Sequence, residues 1–134
     1  METRKYIPAK DVMDSKIVKV DGMATAAEAV ALLKKEGVDA LIVEKRNQYD
    51  AYGIVVTQDL LEAVVVAGKD PQSVNVFEIM SKPVVTVSST LDVKYVAKLM
   101  VDLRIKQVPV EEDGEYLGMI SIRSLVLNSG LFTS

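Results

Sequence analysis

The apolar positions of this 134-residue chain fall into short runs separated by turn residues. Ile17–Val20, Ala40–Glu44 and Tyr52–Val56 are β-branched or alternating stretches that predict strands. Between the first two, Thr25-Ala26-Ala27-Glu28 predicts a helix start: a Thr hydroxyl and a Glu carboxylate can satisfy free amides there. Ala26, Ala29, Val30 and Leu33 then recur at helical spacing, and Gly37 suits a left-handed cap. A second helix is expected to begin near Asp59.

The same pattern returns further on. A shift of 67 residues sets Val12-Met13 over Ile79-Met80, Ile17–Val20 over Val84–Val87, Leu32-Leu33 over Leu99-Met100, and Ala40–Glu44 over Gln107–Glu111. The shift then drops to 65, because the first copy has a connection two residues longer. Beyond it, Gly53-Ile54-Val55 meets Gly118-Met119-Ile120, and Leu60 meets Leu125. The second copy carries its helical face on Val93, Val96, Ala97, Met100 and Leu103, opened by Ser89 and Asp92, and turns through Asp113-Gly114 into its last strand, Tyr116–Ile120. Its final helix is expected near Ser124. Each copy therefore reads strand, helix, strand, strand, helix: repeat 1 over residues 9–68, a linker at 69–75 and repeat 2 over 76–128. One copy of ~60 residues would bury a marginal core, so the two are expected to pack by pseudo-twofold symmetry into one α/β module.

Composition narrows the chemistry. There is no His, Cys or Trp, which excludes disulfides, thiolate nucleophiles, zinc ribbons and imidazole bases. No P-loop or Gly-x-Gly-x-x-Gly string occurs. The net charge of −3, with no basic stripe, argues against nucleic-acid binding. Apolar runs stay far below the ~20 residues of a membrane span, and the polar start lacks a secretory signal. A soluble cytoplasmic protein without a metal centre or catalytic residues is expected. Glu44 and Glu111, at equivalent repeat positions, read as solvent-facing strand ends and not as a catalytic pair.

The repeat resembles the tandem CBS domain, or Bateman module. The resemblance rests on Asp11-Val12-Met13 and Glu78-Ile79-Met80 at the heads of the copies and on Val108-Pro109-Val110. It rests also on the turns Gly53–Leu60 and Gly118–Leu125. It covers about residues 9–128 and implies a regulatory module, not an enzyme. Such modules bind AMP, ADP, ATP or S-adenosylmethionine in clefts between the copies, form dimers and control an effector. A homodimer and an effector protein are the partners implied. The competing reading is a ligand-free dimerisation or docking module with degenerate clefts.

Within that resemblance, Asp59 takes the position that contacts the ribose hydroxyls, a role compatible with capping the helix beginning there. Copy one has Val56 where a hydroxyl is usual, with Thr57 displaced by one. Copy two keeps the hydroxyl in Ser121 but has Ser124 in the acidic position. Unequal sites follow, the first better suited to ribose. Ile17, Val18 and Ala40, and in the second copy Pro83, Val84, Val108 and Pro109, are candidates for apolar adenine slots; they are equally what a small core would bury. Arg123, in the turn before the last helix, and Lys82 are candidates for phosphate, with Arg104 and Lys106 nearby. Tyr49 and Tyr52 read as loop anchors around the longer connection.

Overall fold

The computed structural model describes residues 5–132. The chain forms two compact units, one of Met1–Ile17 with Val85–Ser134 and the other of Val18–Val84.

In the unit spanning Val18–Val84, strand β1 (Lys19–Val20) runs parallel to β2 (Ala40–Val43), which pairs antiparallel with β3 (Gly53–Val56). Helix α1 (Ala26–Glu36) joins β1 to β2. Its start is the expected capping box: Thr25 Oγ1 accepts from Glu28 N at 3.1 Å, and Glu28 Oε1 accepts from Thr25 N at 3.3 Å. Gly37 closes it at φ 66°, a conformation costly for a side chain with a Cβ. Ala26, Ala29 and Leu33 enter the core with Leu41, Val43 and Val55, whereas Val30 of the expected apolar face remains 41% exposed. After β3 come α2 (Thr57–Leu60) and a π-helical segment, Leu61–Val66, none of whose residues is buried. A short helix, α3 (Val76–Ile79), follows.

The other unit repeats the plan. β4 (Val87–Ser88) pairs parallel with β5 (Gln107–Glu112), and β5 pairs antiparallel with β6 (Glu115–Ser121). Helix α4 (Val93–Leu103) buries Val93, Val96 and Met100 against Val108, Val110 and Ile120; Leu103 is 49% exposed. Asp113 and Gly114 turn the hairpin at φ 51° and 82°, the left-handed pair its tight geometry needs. Helix α5 (Ile122–Asn128) ends the described fold.

The first strands are shorter than their apolar runs suggest. Ile17, Val18 and Val84–Thr86 lie outside β1 and β4, because only Lys19-Val20 and Val87-Ser88 pair in register with a partner strand.

Sequence order and compact unit part company at the heads of the repeats. Asp11–Met13 belongs to the unit of the second sheet, where Asp14 N donates to Met119 O at 2.9 Å and Met119 N donates to Asp14 O at 2.8 Å. Glu78–Met80 belongs to the unit of the first, where Ile54 and Ser81 exchange two backbone bonds of 2.9 Å. Each head thus completes the outer edge of the other repeat's sheet. Glycine makes room for it: a Cβ on Gly53 would lie 2.8 Å from Met80 Sδ, and one on Gly118 would collide with Asp14 O.

Candidate functional site

The sequence-derived candidates separate into three places. Val18, Ala40, Thr57 and Asp59 meet at one corner of the unit Val18–Val84. Ala40 faces Val56 across the β2–β3 pair, Val18 O accepts from Ile42 N at 2.9 Å, and Thr57 N donates to Asp39 O at 3.2 Å. The ends of all three strands therefore bring a backbone carbonyl and a helix start to one place; Ala40 is buried there, and the half-buried Val18 carries the open apolar surface.

Asp59 is not where the sequence placed it on the helix. The helix starts two residues earlier, at Thr57, so Val56 is the N-cap and Asp59 the third helical residue. Val56 has no side-chain acceptor, so only the return half of a capping box forms: Val56 N donates to Asp59 Oδ2 at 2.8 Å. Asp59 Oδ1 has no partner among the described residues. Burial raises the pKa of this half-buried carboxyl, the bond from Val56 N opposes the rise, and the charge of Glu62 adds to it. A carboxylate stripped of part of its water, with one oxygen free, is a ready acceptor for two neighbouring hydroxyls.

The equivalent corner of the other unit is closed on itself. Ser121 is the N-cap; its Oγ accepts from Ser124 N at 3.0 Å. Ser124 Oγ accepts from Ser121 N at 2.9 Å and donates to Ser121 O at 3.0 Å. The Ser124 proton is therefore committed, and the residue is buried. Here too the helix starts earlier than expected, at Ile122. Arg123 is exposed on its first turn. Val108 and Pro109 are fully buried and offer no free wall, whereas Ile17 is half-buried in the same unit.

Lys82, Pro83 and Val84 lie at the far end of β3 from Asp59, where Val84 N donates to Tyr52 O at 3.0 Å. Lys82 Nζ is paired with Asp50 Oδ1, and Asp50 Oδ2 also accepts from Arg46 Nε at 3.1 Å and Arg46 N at 2.9 Å. These donors, the Arg46 side chain first, hold the Asp50 carboxyl far below the usual range. Tyr52 is indeed an anchor, with Lys19 and Lys45 over its ring at 5.2 and 4.9 Å; Tyr49, 90% exposed, is not. Asp50 was the functional-looking residue missed from sequence, since nothing in the string Asn47–Tyr52 ties it to a lysine more than thirty residues on.

Two open cavities lie within the Val18–Val84 unit. One, of about 670 Å3, runs between α1 and the α2–π segment, lined by Val30, Leu33, Thr57, Leu61, Val65 and Pro71 among others. The second lies at the other end of β2, lined by Val43, Phe77 and Met80 among others. Among the described residues no group of three or more acidic side chains could hold a metal ion, and no helix is long and apolar enough to cross a membrane.

Comparison with known proteins agrees with this architecture. The family model described as "CBS domain" matches twice, at residues 9–66 and 76–129. The mitochondrial CBS domain-containing protein CBSX3 of Arabidopsis thaliana is 33% identical over 126 residues, covering 87% of this chain and 61% of its own. The chain thus spans less than two thirds of that curated relative. A hexameric CBS-CP12 protein from bloom-forming cyanobacteria superposes with a TM-score of 0.90 at 38% identity, over 95% of this chain and 70% of its own. The CBS domain pair of MJ0100, solved with 5′-methylthioadenosine and S-adenosyl-L-methionine, shares the fold at a TM-score of 0.76 and 22% identity, over 91% of this chain and 94% of its own.

Proposed function

The chain belongs to the CBS-domain family, and from that premise we propose that it is a regulatory module, without catalysis of its own, that binds an adenosine-containing ligand at the Asp59 corner and relays occupancy to a partner protein. AMP, ADP, ATP and S-adenosylmethionine all carry the two neighbouring ribose hydroxyls such a site would read. The observation that carries the reading is the Asp59 carboxylate: one oxygen anchored by Val56 N, the other free. In this reading the ribose hydroxyls donate to Asp59, Thr57 adds a hydroxyl beside them, and the half-buried Val18 supplies an apolar edge for the base, with Ala40 buried behind it. A ligand shifts a partner only through different affinity for two states of the module. The ligands of the MJ0100 pair belong to the same adenosine class.

A second reading is favoured by a specific observation in the other unit. The Ser121–Ser124 corner spends its polar atoms on its own backbone and has no charge to offer a ribose. That corner we assign to scaffolding. The exposed apolar residues of the last helices, Leu61, Val65 and Val66 in one repeat and Ile122, Val126 and Leu127 in the other, support self-association into at least a homodimer. The CBS-CP12 relative is itself hexameric.

A thermal-shift panel tests ligand binding, since a ligand that binds only the native state raises its melting temperature. A rise with one or more of the four adenosine ligands, diminished in Asp59→Ala, is expected. No shift at millimolar ligand would overturn the sensor reading and leave the docking reading for the whole chain.

A further inference from the structure

At the opposite end of β2 from Ala40, the Val18–Val84 unit holds its second cavity, of about 660 Å3. Its apolar wall is made by Met23, Val43, Phe77 and Met80. Gly22 ties the wall to the sheet end: its carbonyl accepts from Phe77 N at 2.9 Å. Met23 and Phe77 are nevertheless 69% and 48% exposed, so this wall presents uncovered apolar surface. Lys45, Arg46 and Lys82 line the same cavity. Asp50, its side chain only 6% exposed, fixes the last two in place. The Arg46 side chain is 80% exposed, and Asp50 engages it through Nε. Its two terminal amino groups have no acceptor among the described residues. Lys45 rests on the Tyr52 ring and has no carboxylate partner there.

We propose that this cavity is a binding site for a small amphipathic organic monoanion. Its apolar body lies on Phe77, Val43, Met80 and Met23, and its single carboxylate or sulfonate meets the Arg46 fork and Lys45. A cavity of this volume with a few convergent polar groups is the usual form of a small-molecule site, and a guanidinium fork matches a planar anion. Asp21 and Glu44 also line it, and they limit the ligand to one negative charge, because a polyphosphate would meet them as well. The site belongs to one repeat only. Opposite Lys45 and Arg46 the second repeat has Glu112 and Asp113, in a connection two residues shorter that closes as a tight hairpin.

The probe is 8-anilinonaphthalene-1-sulfonate, an apolar body with one anion, compared with its uncharged counterpart N-phenyl-1-naphthylamine. Saturable fluorescence enhancement is expected, weakened about ten-fold or more by K45E/R46E, with the neutral dye changed less than about two-fold and the sulfonate displaced by neither AMP nor tripolyphosphate. An independent arm uses the unaltered protein: the sulfonate should move the amide resonances of Gly22 and Phe77. Absence of saturable binding, equal loss of both dyes, displacement by AMP, or shifts centred on Val30 and Val65 would each overturn the assignment.

Discussion

The two repeats build the same sheet and the same helix start from different residues, and the difference shows which parts of a repeat are scaffold and which are free to act. In one, an apolar N-cap (Val56) leaves the third helical residue, Asp59, to satisfy a backbone amide with one oxygen and keep the other. In the other, Ser121 and Ser124 bond reciprocally and no charged acceptor is left over. A complete capping box stabilises the helix; an incomplete one with a carboxylate keeps an acceptor available. Completeness of the cap and capacity for a ligand oppose each other at this position.

The largest expected effect concerns the seats of the exchanged heads. Gly118→Ala drives a Cβ against the Asp14 backbone oxygen, whereas Gly53→Ala meets first the flexible end of Met80. Overpacking costs ~1–3 kcal/mol; chemical denaturation should place Gly118→Ala at or beyond the top of that range and Gly53→Ala near its bottom. Equal losses would show the two seats to be equally rigid. Next comes Asp59→Ala, expected to weaken AMP about ten-fold or more, the scale of losing a charge-assisted pair of hydrogen bonds, with a smaller loss of melting temperature because Val56 N loses its acceptor. The converse change, Ser124→Asp, should install a second acidic corner and bring a second binding event in calorimetry.

Acidification gives a subtler contrast. Burial raises the Asp59 pKa above the ordinary Asp value of ~3.9, so its protonated form persists to higher pH in the native state than in the unfolded chain. Stability contributed by this group is then present below the unfolded value and lost as pH rises through the folded one. Ribose binding needs the ionised form and has the opposite sense. Adenosine affinity should fall as pH drops through the raised pKa, and the fall should vanish in Asp59→Asn. The smallest effect is expected from Glu62→Gln: removing the neighbouring negative charge should move the midpoint of that fall slightly toward lower pH.

Much of this contrast is written in the sequence, because local chemistry decides it. The Thr25–Glu28 capping box, the Gly37 cap and the Asp113-Gly114 hairpin depend on neighbours within four residues, and the structure has them all. The helix starts were displaced by two residues because Asp59 and Ser124, good capping residues by type, serve as the third helical residue instead. Val30 looked like core by spacing yet stays exposed, since the π-helical segment buries nothing that would cover it. The exchange of heads and the Asp50–Lys82 pair join residues far apart in the chain. No periodicity encodes them, although methionine in each head facing the glycine of the other repeat was a trace of the first.

The most direct measurement is isothermal titration of AMP into the wild-type chain, Asp59→Ala and Ser124→Asp. One site per chain in the wild type, the same site weakened about ten-fold or more in Asp59→Ala, and two in Ser124→Asp is the expected result. Two equal sites in the wild type, or binding untouched by Asp59→Ala, would contradict the claim that a single repeat carries the ligand.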